Sequence, residues 1–246
     1  LCLAQQPGQP PQPYDAPPFT PWPDRDPDMT QAAADLADRL GLDRTAQDQF
    51  AIASHQRALA HAPQPEITPL AGQTRDSFAR RLTPALCARA PVLAGSITTA
   101  TAAVAADGAA FAIVTTPERA ALAPRALRVL ATATLGAAPD QPGLSPLPAI
   151  RAVLDKAGLR PADLDRIEMM EAYAAQAMAC IAACDLPPDR VNLRGGALAR
   201  GHPIGASGAV LVARLFHDLT EDPTLRTGLA AIAAAGGIGA ALILGA

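Results

Sequence analysis

At 246 residues the chain is long enough to bury a sizeable core and to hold one or two domains. Half of it is apolar but only 3% is aromatic, so Ala, Val, Leu and Ile must fill the interior. A formal charge of −3 with no basic block excludes a nucleic-acid footprint. No apolar run reaches membrane-spanning length free of glycine, and no signal-peptide pattern opens the chain. The expectation is a soluble cytoplasmic protein with neither nucleic acid nor membrane as partner. The four cysteines, Cys2, Cys87, Cys180 and Cys184, lack the paired spacing of a zinc site and do not suggest a disulfide framework. Cys180 and Cys184 lie one helical turn apart in an Ala-rich segment and read as buried packing thiols. No metal is expected.

Nine prolines in residues 1–28 predict an irregular segment. Thr30 is positioned to cap a helix over 31–40 that Gly41 ends. A second helix is expected from Thr45 to Ala60, with Ala46, Phe50, Ala53 and Ser54 on one face. Residues 62–95 are mixed and carry prolines at 63, 65, 69, 84 and 91. Ala110 to Thr115 reads as a buried strand, and Leu127 to Ala133 as another. Pro146 to Ala157 has helical spacing, with Gly158 as its stop. Then come a strand at 166–170, an apolar helix from Ala174 to Ala183, and a strand at Val191–Leu193. A helix from Ala206 to Leu219 and strands at 228–235 and 239–244, meeting at Gly236-Gly237, complete the chain. From residue 127 onward this alternation makes an α/β layer unit. Four regions follow: 1–28, a helical region over 29–95, a partial unit over 96–125, and a complete one over 126–246.

The run Gly195-Gly-Ala-Leu-Ala-Arg-Gly-His-Pro-Ile-Gly-Ala-Ser-Gly208 holds the candidate chemistry. Its five glycines allow close approach of backbone to a ligand, and Pro203 fixes the chain beside His202. A histidine held in such a loop is a candidate base or oxyanion donor. Retention of the histidine for packing and hydrogen bonding alone is the alternative.

This run resembles the Gly-His-Pro loop of the thiolases, and the resemblance continues on both sides. Residues 28–60, with Arg44-Thr-Ala-Gln-Asp-Gln-Phe-Ala-Ile-Ala-Ser-His-Gln-Arg57, resemble the helices of the thiolase loop domain. Residues 107–119 resemble the end of the first thiolase half. Residues 146–151, 165–176, 191–208 and 226–239 resemble the second half, in order. The implied architecture is an α/β thiolase fold, layered α/β/α/β/α, with the C-terminal half complete and the N-terminal half partial.

The family chemistry uses a cysteine that becomes acylated, a second cysteine as acid and base, and a histidine and an asparagine around the substrate oxygen. The nucleophile's motif falls upstream of anything matched here. Leu1 to Ala4 resembles the strand that follows it, so Cys2 lies beyond its place and the nucleophile is expected to be absent. The Asn-Glu-Ala-Phe motif reads Met170-Glu-Ala-Tyr173, and a methionine cannot orient a water as asparagine does. Gly201-His202-Pro203 is intact. The Cys-x-Gly motif reads Ala233-Ala-Ala235, so a methyl group replaces the acid/base thiol. The CoA-facing Asn-Ala-Ser-Gly loop reads Thr101-Ala-Ala-Val104. Gly205, Ser207 and Ala235 remain as weak substrate-binding candidates, the first two at a helix start that favours an anion.

The resemblance implies acyl transfer between CoA and an acyl-CoA carbon, as 3-ketoacyl-CoA thiolysis or Claisen condensation. CoA or acyl-CoA is then the substrate, with no separate cofactor, and the chain is a homo-oligomer or joins a second thiolase-type chain. With Met170 and Ala233 degenerate, this chain alone is expected to be inactive. A non-catalytic thiolase-like subunit that binds acyl-CoA or a partner chain is the alternative, and a truncated gene product the third reading.

Overall fold

A computed structural model of the chain describes residues 2–4, 8, 10, 12–14, 18–61, 64, 66–70, 72–73 and 76–246. The remaining positions of the proline-rich segment, Pro63, Pro65 and the side chain of Cys2 lie outside the described residues. The segment expected to be irregular contains one short antiparallel pair, β1 (Cys2–Ala4) with β2 (Gln12–Tyr14). Pro13 lies opposite Leu3 in this two-stranded ladder, where every strand is an edge and a missing N–H is tolerated.

Helix α1 (Met29–Leu40) is capped by Asp28, not Thr30: the Asp28 carboxylate accepts from the Gln31 amide at 2.8 Å. Thr30 instead places its hydroxyl 3.1 Å from that of Tyr173. Gly41, at φ 63°, closes the helix in the left-handed conformation. In α2 (Arg44–Ala60), capped by Asp43, the buried stripe is Gln47, Ala51, Ser54, His55 and Ala58. Only Ser54 is shared with the expected face. The stripe is rotated because three of its five members are polar, and each has a partner. Gln47 donates to Leu42 O and Ser96 Oγ, His55 Nδ1 accepts from the Arg80 amide, and Ser54 donates to Glu171. Apolar spacing is blind to such a face. Beyond it come α3 (Pro84–Ala88) and the short pair β3 (Val92–Ala94) and β4 (Ile97–Thr98).

The expected buried strand at 110–115 does not form. Residues 106–116 run without strand pairing into α4 (Pro117–Ala120), and Phe111, Ile113 and Val114 are 90%, 93% and 86% exposed. Its β-propensity is real, but propensity acts only through neighbouring strands, and among the described residues none lies alongside.

The C-terminal half is built on β5 (Arg128–Gly136), α5 (Pro146–Ala157), β6 (Arg166–Met169), α6 (Ala174–Ala183), α7 (Ala197–Arg200), α8 (Ser207–Glu221), β7 (Thr227–Ala234) and β8 (Ile238–Gly245). The sheet order is β5-β8-β7-β6, with β6 and β7 parallel and the other pairs antiparallel. Alternation of side chains decides the layers. Ile167, Met169, Leu229, Ala231, Ala241 and Ile243 face α5 and α6, while Met170, Ala230 and Leu244 face α8. Ile150, Ile167, Leu229 and Ile243 are at most 1% exposed, each contributing roughly 1.5–3 kcal/mol of burial. Pro146 and Gly158 bound α5 as their positions predict, Gly158 at φ 65°. Gly236 and Gly237, at φ 82° and 70°, make the β7–β8 turn.

The expected strand at Val191–Leu193 shrinks to a single parallel bridge from Val191 to Ile167. Asn192 turns the chain away at φ 48°, a conformation asparagine tolerates better than most residues. Its side-chain amide then takes over the ladder. Oδ1 accepts from Met169 N and Nδ2 donates to Met169 O, each at 2.8 Å.

Candidate active site

His202 lies between α7 and α8, half-buried, and its backbone is fixed from one side by residues 104–106. Its amide donates to Val104 O at 2.7 Å, and its carbonyl accepts from Ala106 N at 3.4 Å. Gly201 before it sits at φ 87°, where an added Cβ would meet Ala106 Cβ at 2.7 Å and the Phe78 ring at 3.0 Å. Only glycine allows this approach. The imidazole Nδ1 lies 2.7 Å from Ser207 Oγ, and that hydroxyl donates to Pro203 O at 3.0 Å. A hydroxyl has one proton. Two acceptors are in reach of that proton, Pro203 O and His202 Nδ1; directed to Pro203 O, it leaves Nδ1 to donate to Ser207 Oγ and Nε2 with the lone pair. Burial also pushes the His202 pKa below the usual histidine value, which favours the neutral ring. In that tautomer the neutral ring offers Nε2 as a proton acceptor.

Ser207, the first residue of α8, is buried and its hydroxyl is fully used in holding His202. Gly205 is exposed, with open space where a Cβ would stand.

The Met170–Tyr173 turn and the His202 loop are brought together through one intervening strip. Ala103 N donates to Ala172 O at 2.9 Å, and the next residue, Val104, accepts from His202. Met170 itself is 3% exposed and packs in the apolar cluster under α8 with Leu211, Leu215 and Leu244. Glu171, which the sequence left without a role, is buried and accepts three hydrogen bonds. Its carboxylate accepts from Ser54 Oγ at 2.8 Å, Asn192 Nδ2 at 2.6 Å and the Leu198 amide at 3.3 Å. Burial raises its pKa, while the bonds from Asn192, Ser54 and Leu198 pull it down. A Cβ on Gly196 would collide with the Glu171 carboxyl group, which is why the glycine run is needed there. Thr101, in the strip expected to face CoA, is fully buried and bonds within its own turn to Thr98.

Arginines that the sequence did not single out brace the loop from below. Arg200 donates to Gly195 O at 3.3 Å and Arg194 O at 2.6 Å, and pairs with Asp76. Arg194 pairs with Asp218 and Glu221, each at 2.6 Å. Deeper in, Arg214 of α8 lies 3.5 Å from Glu168 of β6, both almost wholly buried. Desolvation is the largest influence on Glu168 and pushes it up to about 7, against the lowering field of Arg214.

Ala233 lies near the end of β7, opposite Gly239 and next to Ile232, which the first turn of α8 approaches at Gly208. Ala235 follows in the turn, half-buried. The thiols whose side chains are described do not compensate. Cys87, Cys180 and Cys184 are buried, and desolvation pushes Cys180 up to about 12. Among the described residues no group of His, Cys, Asp and Glu is arranged to hold a metal ion, and no helix is long and apolar enough to cross a membrane.

The profile of the thiolase C-terminal domain matches residues 123–246. A Bacillus subtilis (strain 168) protein, YhfS, provisionally named an acetyl-CoA C-acetyltransferase, is 40% identical over 92% of this chain and 65% of its own length. The 3-ketoacyl-CoA thiolase of Photorhabdus laumondii subsp. laumondii is 35% identical over 92% of this chain and 67% of its own. The crystal structure of human mitochondrial 3-ketoacyl-CoA thiolase superposes with a TM-score of 0.82 at 27% identity, covering 93% of this chain and 61% of that one. The same human enzyme in complex with CoA gives 0.81 at 26% identity. The chain therefore spans about two thirds of the length of these relatives. Matching sequence in the family's order, a shared fold and an intact Gly-His-Pro loop lead to one assignment: the chain belongs to the thiolase family.

Proposed function

We propose that this chain is a cytoplasmic acyl-CoA-binding member of the thiolase family that retains the histidine base but does not complete thiolysis by itself. His202 Nε2, with its lone pair free, accepts the proton of a thiol such as that of CoA. Thiolysis of a 3-ketoacyl-CoA breaks the C2–C3 bond, and the carbon released at C2 must take up a proton. At the position where the resemblance puts the thiol that gives this proton, the chain has the methyl group of Ala233. Where the resemblance puts the water-holding asparagine, Met170 is committed to the core under α8. Met170 is the observation that carries the reading: it has been absorbed into packing, so its place in the site is filled rather than vacant. The loss of an acid/base group alone lowers such a rate roughly 10²–10⁴-fold.

The human thiolase whose CoA complex shares this fold supports CoA or acyl-CoA as the ligand. Steady-state thiolysis of acetoacetyl-CoA by the chain and by Ala233→Cys tests the proposal. Wild-type activity within tenfold of an authentic thiolase sinks it.

A further inference from the structure

The two residues that precede His202 are both held by one short segment, 76–78. The Arg200 side chain, 10% exposed, pairs with Asp76, while its other nitrogens donate to Gly195 O at 3.3 Å and Arg194 O at 2.6 Å. A planar guanidinium fork reaches three acceptors at once, which a compact ammonium cannot do. At the next residue, the Phe78 ring and the Ala106 methyl converge over Gly201: a Cβ there would stand 3.0 Å from the ring and 2.7 Å from the methyl. The segment is itself rooted in the core. Two residues beyond Phe78, the Arg80 amide donates to the buried His55 Nδ1 at 3.3 Å, and Leu82 packs in one cluster with Leu198 of α7. Arg200 and Gly201 are thereby tied to α2 and the core, not only to their own loop.

On the side of the 104–106 strip, the His202 backbone makes one short bond, from its amide to Val104 O at 2.7 Å, and one long one, from Ala106 N to its carbonyl at 3.4 Å. The long bond lies beyond the usual N–H···O range and holds weakly by itself. We infer that Asp76 and Phe78 are positioning residues for His202: by holding Arg200 and Gly201 they keep the loop against the 104–106 strip and fix where the imidazole stands. They act through the two residues before the histidine. The inference deepens the reading of His202 as a base and rests on it. A base must stand within hydrogen-bond reach of the proton it takes, and a misplacement of about 1 Å can cost about a hundredfold in rate.

The test is amide hydrogen exchange, with NMR of the imidazole, on the full chain and on Asp76→Ala, Phe78→Ala and Arg200→Lys. Asp76 and Phe78 both lie partly exposed, so their truncation leaves the core intact. The His202 and Ala106 amides should exchange about tenfold faster or more in each variant, while those of β7 keep their wild-type rates. The His202 pKa, which burial holds below the usual histidine value, should rise towards it as the ring is freed. Ile150→Val, a change in the core under α5, is the control: it lowers the stability of the whole chain and should leave the His202 pKa where it is. Wild-type exchange at His202 and Ala106 in all three variants overturns the inference. So does faster exchange shared equally by β7 with the His202 pKa unmoved, the result that a merely structural role would give. Neither readout involves a substrate, so failure here is distinct from failure to bind acyl-CoA.

Discussion

Ser54 donates its hydroxyl proton to Glu171 Oε2 at 2.8 Å across 117 residues of chain, and the same hydroxyl oxygen accepts from the Gly196 amide at 2.9 Å. This relay joins three parts of the molecule: α2, the end of β6, and the glycine run leading to His202. Removing Glu171 leaves the donors of Ser54, Asn192 and Leu198 without their acceptor in a buried site. Glu171→Ala should cost about 2–5 kcal/mol and Ser54→Ala about 1–2, measured by urea unfolding. Gly196→Ala forces the carboxylate to move and should cost at least as much as Ser54→Ala. If all three variants unfold at the wild-type midpoint, the relay does not hold these elements together.

Two buried groups give opposing pH dependences. Glu168 titrates near 7 in the folded chain, well above an ordinary carboxyl, so the folded state holds its proton more tightly and stability from this group is lost as pH rises from about 4.5 to 7. His55 is pushed down to about 4, first by burial and then by the field of Arg80, so it contributes stability above pH 6.5 that is lost as pH falls towards 4. Each contributes at most about 1.4 kcal/mol per pH unit, with opposite sign. Glu168→Gln should make the slope of stability against pH more positive than in the wild type between pH 5 and 6.5. An unchanged slope in the variant contradicts the assignment of Glu168.

The tautomer of His202 depends on Ser207. Nitrogen-detected NMR of the native chain should show Nδ1 protonated, with a pKa below 6.5. In Ser207→Ala the Nδ1 proton loses its acceptor, and the Nε2-protonated form should become populated. Identical spectra for the two proteins would mean that the hydroxyl does not set the tautomer.

Met170→Asn should not restore a water site. It places an unpartnered amide among Leu211, Leu215 and Leu244 and should destabilise the chain by about 2–4 kcal/mol. An unfolding midpoint at or above the wild-type value would show that this position opens towards the site rather than the core.

Where apolar spacing and punctuation agree, the fold is legible in the sequence. Pro146 and Gly158 bound α5, Gly41 ends α1, and the residue alternation of β7 and β8 sorts their side chains between α5 and α8. Besides the polar face of α2, three features escape such reading, each for its own reason. Asp28 and Thr30 are both capping residues two positions apart, and only the contact of Thr30 with Tyr173 separates them. Phe111 to Thr115 has strand composition, but among the described residues no strand pairs with it. Asn192 imitates a ladder with its side chain, so Val191–Leu193 looks like a strand and is not one. In the site, His202 is visible because glycine and proline surround it. Glu171 is not, since its partners Ser54 and Asn192 lie 117 and 21 residues away and only folding brings them together.

The most direct measurement is calorimetric titration of acetoacetyl-CoA into the wild-type chain and into His202→Ala, with CoA thiolysis assayed on the same samples. A ligand-binding thiolase relative that uses His202 as its base should bind acetoacetyl-CoA, bind it about five- to tenfold more weakly without the imidazole, and turn it over in neither case. Robust turnover by the wild-type chain contradicts this, and so does binding that is absent or indifferent to His202.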